Sequence, residues 1–315
     1  MKRIAIVDKS KCVPVKCGNY LCVRLCPVNR TGSDCIIESF DQKIEIDEKL
    51  CTGCKICEHR CPCDAISIVN LPDKLKENPL HRFGKNSFEL FSIPCPKKDV
   101  ILGVVGKNGI GKSTFLSLIS GTLIPNFGDY SKEGDKAKVV KAFSNTSLGA
   151  YFKKLYAGNL NVSLKIQRVE LLPSLLKGNA GDLLKQIDER ELLDEIIKDF
   201  GLEEIVLRNL SELSGGELQK FAIAACIIKD ADFYYFDEPM SFLDISSRIE
   251  ISKLIRKHLE GKSVVVIEHD LTSLDYISDE ICVAYGEAGA YGIFSSPKSN
   301  SRGINCLLYT SPSPR

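Results

Sequence analysis

The chain has 315 residues, 44% of them apolar and 26% charged, with a formal net charge of +1. That length has room for about two domains with a real core, and near-neutrality excludes a uniformly basic or acidic protein while allowing a locally basic face. No run approaches the roughly eighteen apolar residues a membrane helix needs, and the basic start at residues 1–8 precedes no apolar stretch long enough for a signal peptide, so a soluble, cytoplasmic protein without membrane contact is expected.

The first element is a cysteine module. Ten of the fourteen cysteines lie before residue 64. They form two runs, Cys12-x4-Cys17-x4-Cys22-x3-Cys26-Pro27 and Cys51-x2-Cys54-x2-Cys57-x3-Cys61-Pro62. The second has the bacterial-ferredoxin spacing, in which three close thiolates hold one cluster and the fourth, before proline, reaches its neighbour. On that logic Cys51, Cys54 and Cys57 share a 4Fe-4S cluster with Cys26, and Cys12, Cys17 and Cys22 share another with Cys61. The first run is looser, so its individual ligands are less determined. Zinc is the rival reading, since it also takes four thiolates, usually from two pairs split by a longer loop. Disulfides require an oxidising compartment, against which the lack of a signal-peptide stretch argues. Cys35 and Cys63 fall outside the spacing and read as packing residues, Cys63 also as a substitute ligand. Residues 1–75 thus read as a small module whose fold depends on its metal.

A polar linker is predicted from Leu71-Pro72 to Pro79-Leu80. From Ser87 apolar strands alternate with amphipathic helices, the pattern of a mostly parallel sheet covered by helices. Strands are predicted at 100–105, 139–143, 233–236, 264–267 and 281–284, and helices starting at Lys112, Asp182, Gly215, Ile245 and Leu271. Residues 131–170 carry eight Lys or Arg against three Asp or Glu, an excess that on charge alone is most often a solvated face.

The nucleotide chemistry begins at Gly106-Lys-Asn108-Gly109-Ile-Gly111-Lys112-Ser113-Thr114, which follows an apolar strand and opens a helix. Glycines let backbone N–H groups converge on phosphates, and the helix start adds its dipole. Lys112 is placed to reach the β- and γ-phosphates of ATP, and Ser113 to ligate Mg2+. Further on, the apolar strand Phe233–Phe236 ends in Asp237 and Glu238, suited to hold magnesium and to polarise the attacking water respectively.

Leu213-Ser214-Gly215-Gly216-Glu217 resembles the signature of ATP-binding-cassette ATPases, which caps the γ-phosphate of a nucleotide held by the opposite cassette. By the same resemblance Gln167 is the loop glutamine that senses magnesium and water, Ser241-Phe-Leu-Asp244 the D-loop, and His269 the switch histidine. Phe83 or Phe88 is the candidate for adenine stacking. A surface glutamine and a strand-end histidine are the plainer readings of Gln167 and His269 taken singly; their order among the other motifs favours the functional one.

Two iron-sulfur clusters ahead of a cassette resemble the ABC-E family, the ribosome-recycling ATPases also called RNase L inhibitors. The likeness runs through Arg3-Ile-Ala-Ile-Val7, Ala65-Ile-Ser-Ile-Val-Asn-Leu-Pro72, Glu268-His-Asp-Leu271 and Arg302-Gly-Ile-Asn305. It implies an α/β P-loop ABC ATPase domain at 76–305 behind a small α+β ferredoxin-like domain at 1–75 with two structural 4Fe-4S clusters. It also implies a helix-loop-helix insert near 145–165, where Lys153 and Lys154 would meet small-subunit RNA. Implied partners are the small ribosomal subunit, a release or rescue factor in the A site, and initiation factors. Departures are an extra residue between Cys17 and Cys22, Cys63-Asp64 where the family has an aromatic and a glycine, and Met240 beside the catalytic carboxylate.

The family carries a second cassette in cis, which this sequence lacks, and Cys306–Arg315 reads as a translated sequencing adaptor. The fragment alone is therefore expected to hydrolyse ATP poorly. Two other classes remain in view: a cytosolic transporter subunit whose cysteine module docks a partner, and an iron-sulfur electron carrier gated by ATP.

Overall fold

The computed structural model describes residues 3–71, 78–165, 167–300 and 302–303. The tail Cys306–Arg315 and most of the predicted linker lie outside the described residues.

The cysteine module starts with β1 (Arg3–Val7), followed by two short helices, α1 (Leu21–Leu25) and α2 (Pro27–Arg30). Pro27 separates them, because a residue before proline avoids the helical region and Cys26 accordingly has ψ 120°. The hairpin β2 (Ile36–Glu38) and β3 (Ile44–Ile46), the helix α3 (Ile56–His59) and β4 (Ile66–Asn70) complete it, β4 returning antiparallel to β1. Its core is Ala5, Val7, Ile36, Ile44, Ile46, Ile66 and Ile68, interleaved with buried Cys12, Cys26, Cys35 and Cys57. So little hydrocarbon leaves the module reliant on what its thiols hold.

One loop fastens this module to the rest. Asn86, in a left-handed conformation (φ 54°) that asparagine tolerates, donates from Nδ2 to Ile46 O (2.9 Å) and accepts from Ile46 N at Oδ1 (2.8 Å). Its own carbonyl accepts from Val7 N at 3.0 Å. Lys85 pairs with Glu45 (2.7 Å), and the half-sunk Arg82 bridges Glu48 of the module (2.8 Å) and Glu89 beyond it (3.0 Å).

The cassette follows with β5 (His81–Arg82), β6 (Glu89–Leu90), β7 (Ile101–Gly106), α4 (Lys112–Ile119), α5 (Lys136–Ala142), α6 (Ser147–Tyr156) and β8 (Val162–Lys165). Helices α7 (Leu172–Leu175), α8 (Ala180–Gln186), α9 (Leu193–Phe200) and α10 (Gly215–Ile227) lead to β9 (Phe233–Asp237). Then come α11 (Ile245–His258), β10 (Ser263–Ile267), α12 (Leu271–Ile277), β11 (Glu280–Glu287), β12 (Tyr291–Phe294) and β13 (Lys298–Ser299). The strands form one mixed sheet in the order β5-β6-β12-β11-β7-β10-β9-β8, with β13 against β11. Its centre, β11-β7-β10-β9-β8, is parallel, so these strands are apolar on both faces. Alternate residues serve opposite layers: Val105, Tyr234, Phe236 and Val266 pack toward α8 to α12, and Val104, Tyr235, Val265 and Ile267 toward α4 and α6.

Two expectations are corrected. Residues 139–143, predicted as a strand from their β-branched pair, lie in and just after α5. Asp135 caps that helix by accepting from the amides of Ala137 and Lys138, and Val139 and Phe143, four apart, turn one stripe inward while Lys136, Lys138 and Lys141 face out. The helix predicted from Asp182 begins two residues earlier, at Ala180, because Asn179 caps it through Gly181 N. The helices predicted at Lys112, Gly215, Ile245 and Leu271 start there. Among the described residues no helix is long and apolar enough to cross a membrane.

Candidate functional site

The phosphate loop sits at the carboxyl end of β7, where parallel strands release their ligand loops. Gly109 (φ 73°) and Gly111 (φ 92°) hold left-handed conformations that a side chain would strain. A Cβ on Gly111 would stand 2.6 Å from the Phe88 ring. The loop is backed by the turn before β12, whose Gly289 N donates to Gly109 O at 2.8 Å. Lys112, almost fully buried, donates to the carbonyls of Gly106 (2.8 Å) and Lys107 (2.9 Å). Burial lowers its pKa against the pull of Glu238 and Asp237. These contacts surround a cavity of about 410 Å³. Asn108, Ser113, Thr114, Gln167 and Glu238 line it, and so do both candidate aromatics, Phe83 and Phe88. The two rings differ: Phe83 is 55% exposed, whereas Phe88 is wedged beneath Gly111.

At the end of β9, burial raises the pKa of the Asp237 carboxylate, and the neighbouring Ser113 hydroxyl opposes that shift. Glu238 follows with φ 48°, its carboxylate 3.2 Å from His269 Nε2 and accepting from Ser241 Oγ at 3.3 Å. Hence Lys112, Ser113, Gln167, Asp237, Glu238 and His269, from four separate segments, converge on one place. Their chemistry suits a triphosphate with a hard divalent cation: backbone donors and an ammonium for phosphate, and a hydroxyl, an amide and a carboxylate as oxygen ligands.

Sequence reasoning missed three buried residues here. Lys165, 2% exposed, donates from Nζ to Asp237 O (2.9 Å) and Glu238 O (3.2 Å), and burial pulls its pKa to about 8. Gln219, fully buried on α10, donates to Glu238 O at 2.7 Å. Glu268 accepts from Met240 N (2.6 Å) and His269 N (3.0 Å), tying the residue that leads into the D-loop to the histidine. The available signals were a lysine closing an otherwise half-apolar strand and two polar residues inside quoted motifs.

The signature residues are not brought to the phosphate loop. Ser214 and Glu217 form a reciprocal cap at the start of α10, Ser214 N donating to Glu217 Oε2 at 2.7 Å, and Arg208 pairs with Glu217. Gly215 opens the helix, its α-carbon facing Phe242. Ser214, Gly216, Glu217 and Asp244 line a separate cavity of about 540 Å³. Asp244 caps α11, accepting from Ser247 N (2.9 Å) and from the hydroxyls of Ser246 (2.5 Å) and Ser247 (2.8 Å), which hold its pKa below the usual carboxylate range.

In the cysteine module all the described cysteines are free. Burial pushes the Cys22 thiol up to about 11, and Cys17, Cys12 and Cys61 add to the shift. Burial and then Cys51 raise Cys57 to about 12, with Cys54 and Cys22 contributing. Cys35, also raised to about 12 by burial, touches both Cys26 and Cys51. Cys61 thus sits among the thiols of the first run, and Cys22 is near both groups. Thiols crowded and buried this way resist ionisation, a cost that bound iron offsets, so the donor set fits a cluster. Gly53 (φ 74°) makes the tight turn between Cys51 and Cys54, under the Arg3 side chain, whose guanidinium donates to Cys51 O at 2.9 Å. Cys63 packs against the module's core.

Family models match in three places: "ABC transporter" over residues 95–241, "Possible Fer4-like domain in RNase L inhibitor, RLI" over 3–34, and "4Fe-4S binding domain" over 44–67. The chain is 43% identical over 98% of its length to ABC transporter E family member 1 of Arabidopsis thaliana, covering 51% of that protein. It is 42% identical over 97% of its length to translation initiation factor RLI1 of Saccharomyces cerevisiae, again covering 51%. A solved structure described as a model of ribosome-bound archaeal Pelota and ABCE1 superposes with a TM-score of 0.92 at 47% identity, over 99% of this chain and 53% of that one. The chain thus spans about half the length of the curated relatives it matches. From its iron-sulfur-type module to its nucleotide cassette, it belongs to the ABC-E, or RNase L inhibitor, family and corresponds to that family's N-terminal half.

Proposed function

We propose that this chain is the cluster-bearing, first-cassette half of an ATP-driven ribosome-recycling factor. The observation that carries the reading is the fusion of a module of crowded, half-buried cysteines to a cassette whose phosphate loop and signature face different cavities. A machine of that build needs a second cassette to supply the signature opposite Lys112 and the phosphate loop opposite Ser214. In the composite site built on this chain's phosphate loop, Gly109, Gly111 and Lys112 bind the phosphates, Phe83 stacks on the adenine, and Ser113, Asp237 and Gln167 hold Mg2+. Glu238 orients the attacking water and His269 steadies the developing charge. The cysteine sets hold two 4Fe-4S clusters whose part is structural. Working partners are the small ribosomal subunit with its RNA and a release or rescue factor, with initiation factors as further ones. The names of the relatives and the Pelota-bound assembly support this over a transporter subunit or an electron carrier.

The test is anaerobic purification without residues 306–315, iron and sulfide counting, and sedimentation with small ribosomal subunits with and without a non-hydrolysable ATP analogue. About eight irons per chain and salt-sensitive, analogue-dependent cosedimentation are expected. Zinc in place of iron, or no binding by a chain restored to two cassettes, overturns the reading.

A further inference from the structure

The least explained charge in the cassette is Lys165. Its buried ammonium lies among three carboxylates, Asp237, Glu238 and Glu268, yet both of its hydrogen bonds go to main-chain carbonyls, Asp237 O at 2.9 Å and Glu238 O at 3.2 Å. A lysine kept only for charge balance is served as well by a carboxylate oxygen; one that grips two successive carbonyls fixes the peptide between them. The same Glu238 carbonyl takes a second donor, Gln219 Nε2 at 2.7 Å, and the Glu238 amide donates to Ile267 O at 3.0 Å. Three elements therefore pin one residue whose left-handed backbone, φ 48°, is unfavourable for a non-glycine. That backbone decides where the Glu238 carboxylate points.

We propose that Lys165 and Gln219 are positioning residues for ATP hydrolysis, a two-jawed clamp on the turn that aims Glu238. The jaws come from informative places. Lys165 ends β8, two residues before Gln167 in the nucleotide cavity, and Gln219 stands one turn into the helix capped by Ser214. A shift of the Gln167 loop or of the signature helix is thereby delivered to the peptide carrying the carboxylate. Neither side chain lines the nucleotide cavity, so the clamp governs turnover rather than affinity. The proposal rests on the ATPase reading above.

The experiment compares Lys165→Met, Gln219→Met, the double variant and Glu238→Gln with wild type in the full-length protein carrying this chain. It measures steady-state ATP turnover, affinity for a fluorescent methylanthraniloyl-ATP, and hydrogen exchange of the peptide covering residues 237–243. The expected result is a fall of at least tenfold in kcat for each single variant, with KM and nucleotide affinity within about threefold. The double variant falls no further than the worse single one, because both jaws hold one carbonyl. Exchange across 237–243 quickens in both single variants while that across 101–119 is unchanged. Gln219→Met guards against misfolding of the lysine variant, since Gln219 Oε1 has no partner to lose. Wild-type kcat in both variants, parallel losses of affinity and turnover, or unaltered exchange overturns the clamp. Should wild type turn over no faster than Glu238→Gln, the ATPase reading fails, and the exchange measurement still decides whether the clamp holds the turn.

Discussion

Removing one hydroxyl from a buried pair in the cassette should cost far more than removing the other. Tyr151 on α6 and Tyr235 on β9 are 6% and 0% exposed, and their hydroxyls are in hydrogen-bond contact. The Tyr151 hydroxyl donates to Ile119 O at 2.5 Å, at the end of the helix that the phosphate loop opens. Its one proton is thus committed, and Tyr235 must be the donor to Tyr151. Tyr235→Phe deletes a donor and leaves an oxygen still engaged, a loss of about 0.5–1.5 kcal/mol. Tyr151→Phe strands both the Ile119 carbonyl and the Tyr235 hydroxyl in a dry interior, at about 1–3 kcal/mol for each orphan, so roughly 2–6 kcal/mol in all. The double variant orphans only Ile119 O and should recover part of that loss, a coupling of about 1–3 kcal/mol. Urea unfolding followed by far-ultraviolet circular dichroism reads this directly: with a slope of about 2 kcal/mol per molar, the Tyr151→Phe midpoint falls by about 1–3 M. Equal costs for the two single variants, or strict additivity in the double, would refute the assignment of donor and acceptor.

Phe83→Ala should weaken methylanthraniloyl-ATP binding about tenfold, the worth of roughly 1.4 kcal/mol of lost stacking. Phe88→Ala should act chiefly on stability, lowering the melting temperature by emptying the space under Gly111; the reverse pattern would exchange the two roles. Gly111→Ala meets both a positive φ of 92° and the Phe88 ring at 2.6 Å, so nucleotide binding measured by titration should fall below detection. Glu238→Gln in the full-length protein should cut turnover by about 100-fold or more while leaving ATP bound, as seen by nucleotide retention on a desalting column; undiminished turnover would remove Glu238 from the chemistry. The isolated chain should turn over ATP far more slowly than the two-cassette protein, and equal rates in a phosphate-release assay would show that no opposing signature is needed.

What the sequence made legible was what it encodes locally. The glycines at 109 and 111, the Ser214 cap and the two proline-terminated cysteine runs carry their geometry in their spacing, and the structure builds helices and turns where that spacing requires them. Lys165, Gln219 and Glu268 escaped because their partners lie 72 or 73, 19 and 28 residues away. Nothing local distinguishes a lysine that will grip distant carbonyls from one that faces water. The error at Val139 had a different origin: β-branched residues bias toward strand, but Asp135 at the cap and the four-residue step to Phe143 outweighed that bias. Phe83 and Phe88 were indistinguishable as residues five apart, and only the packing beneath Gly111 separates a free ring from a wedged one.

The Asn86 loop changes how the chain can be taken apart. Composition shifts near residue 75, which invites excision of the cysteine module at that point. The hydrogen bonds of Ile46 end at Asn86, however, and the amide of Val7 is answered by the same residue. A module cut at 75 would carry away two strands with vacated edges in what was its interior, where unanswered peptide groups are costly and sticky. Grafts, swaps with the modules of relatives and minimal cluster-binding pieces should therefore end after Ser87. Conversely, a protease nick within residues 72–77 should leave the two pieces associated until denaturant is added.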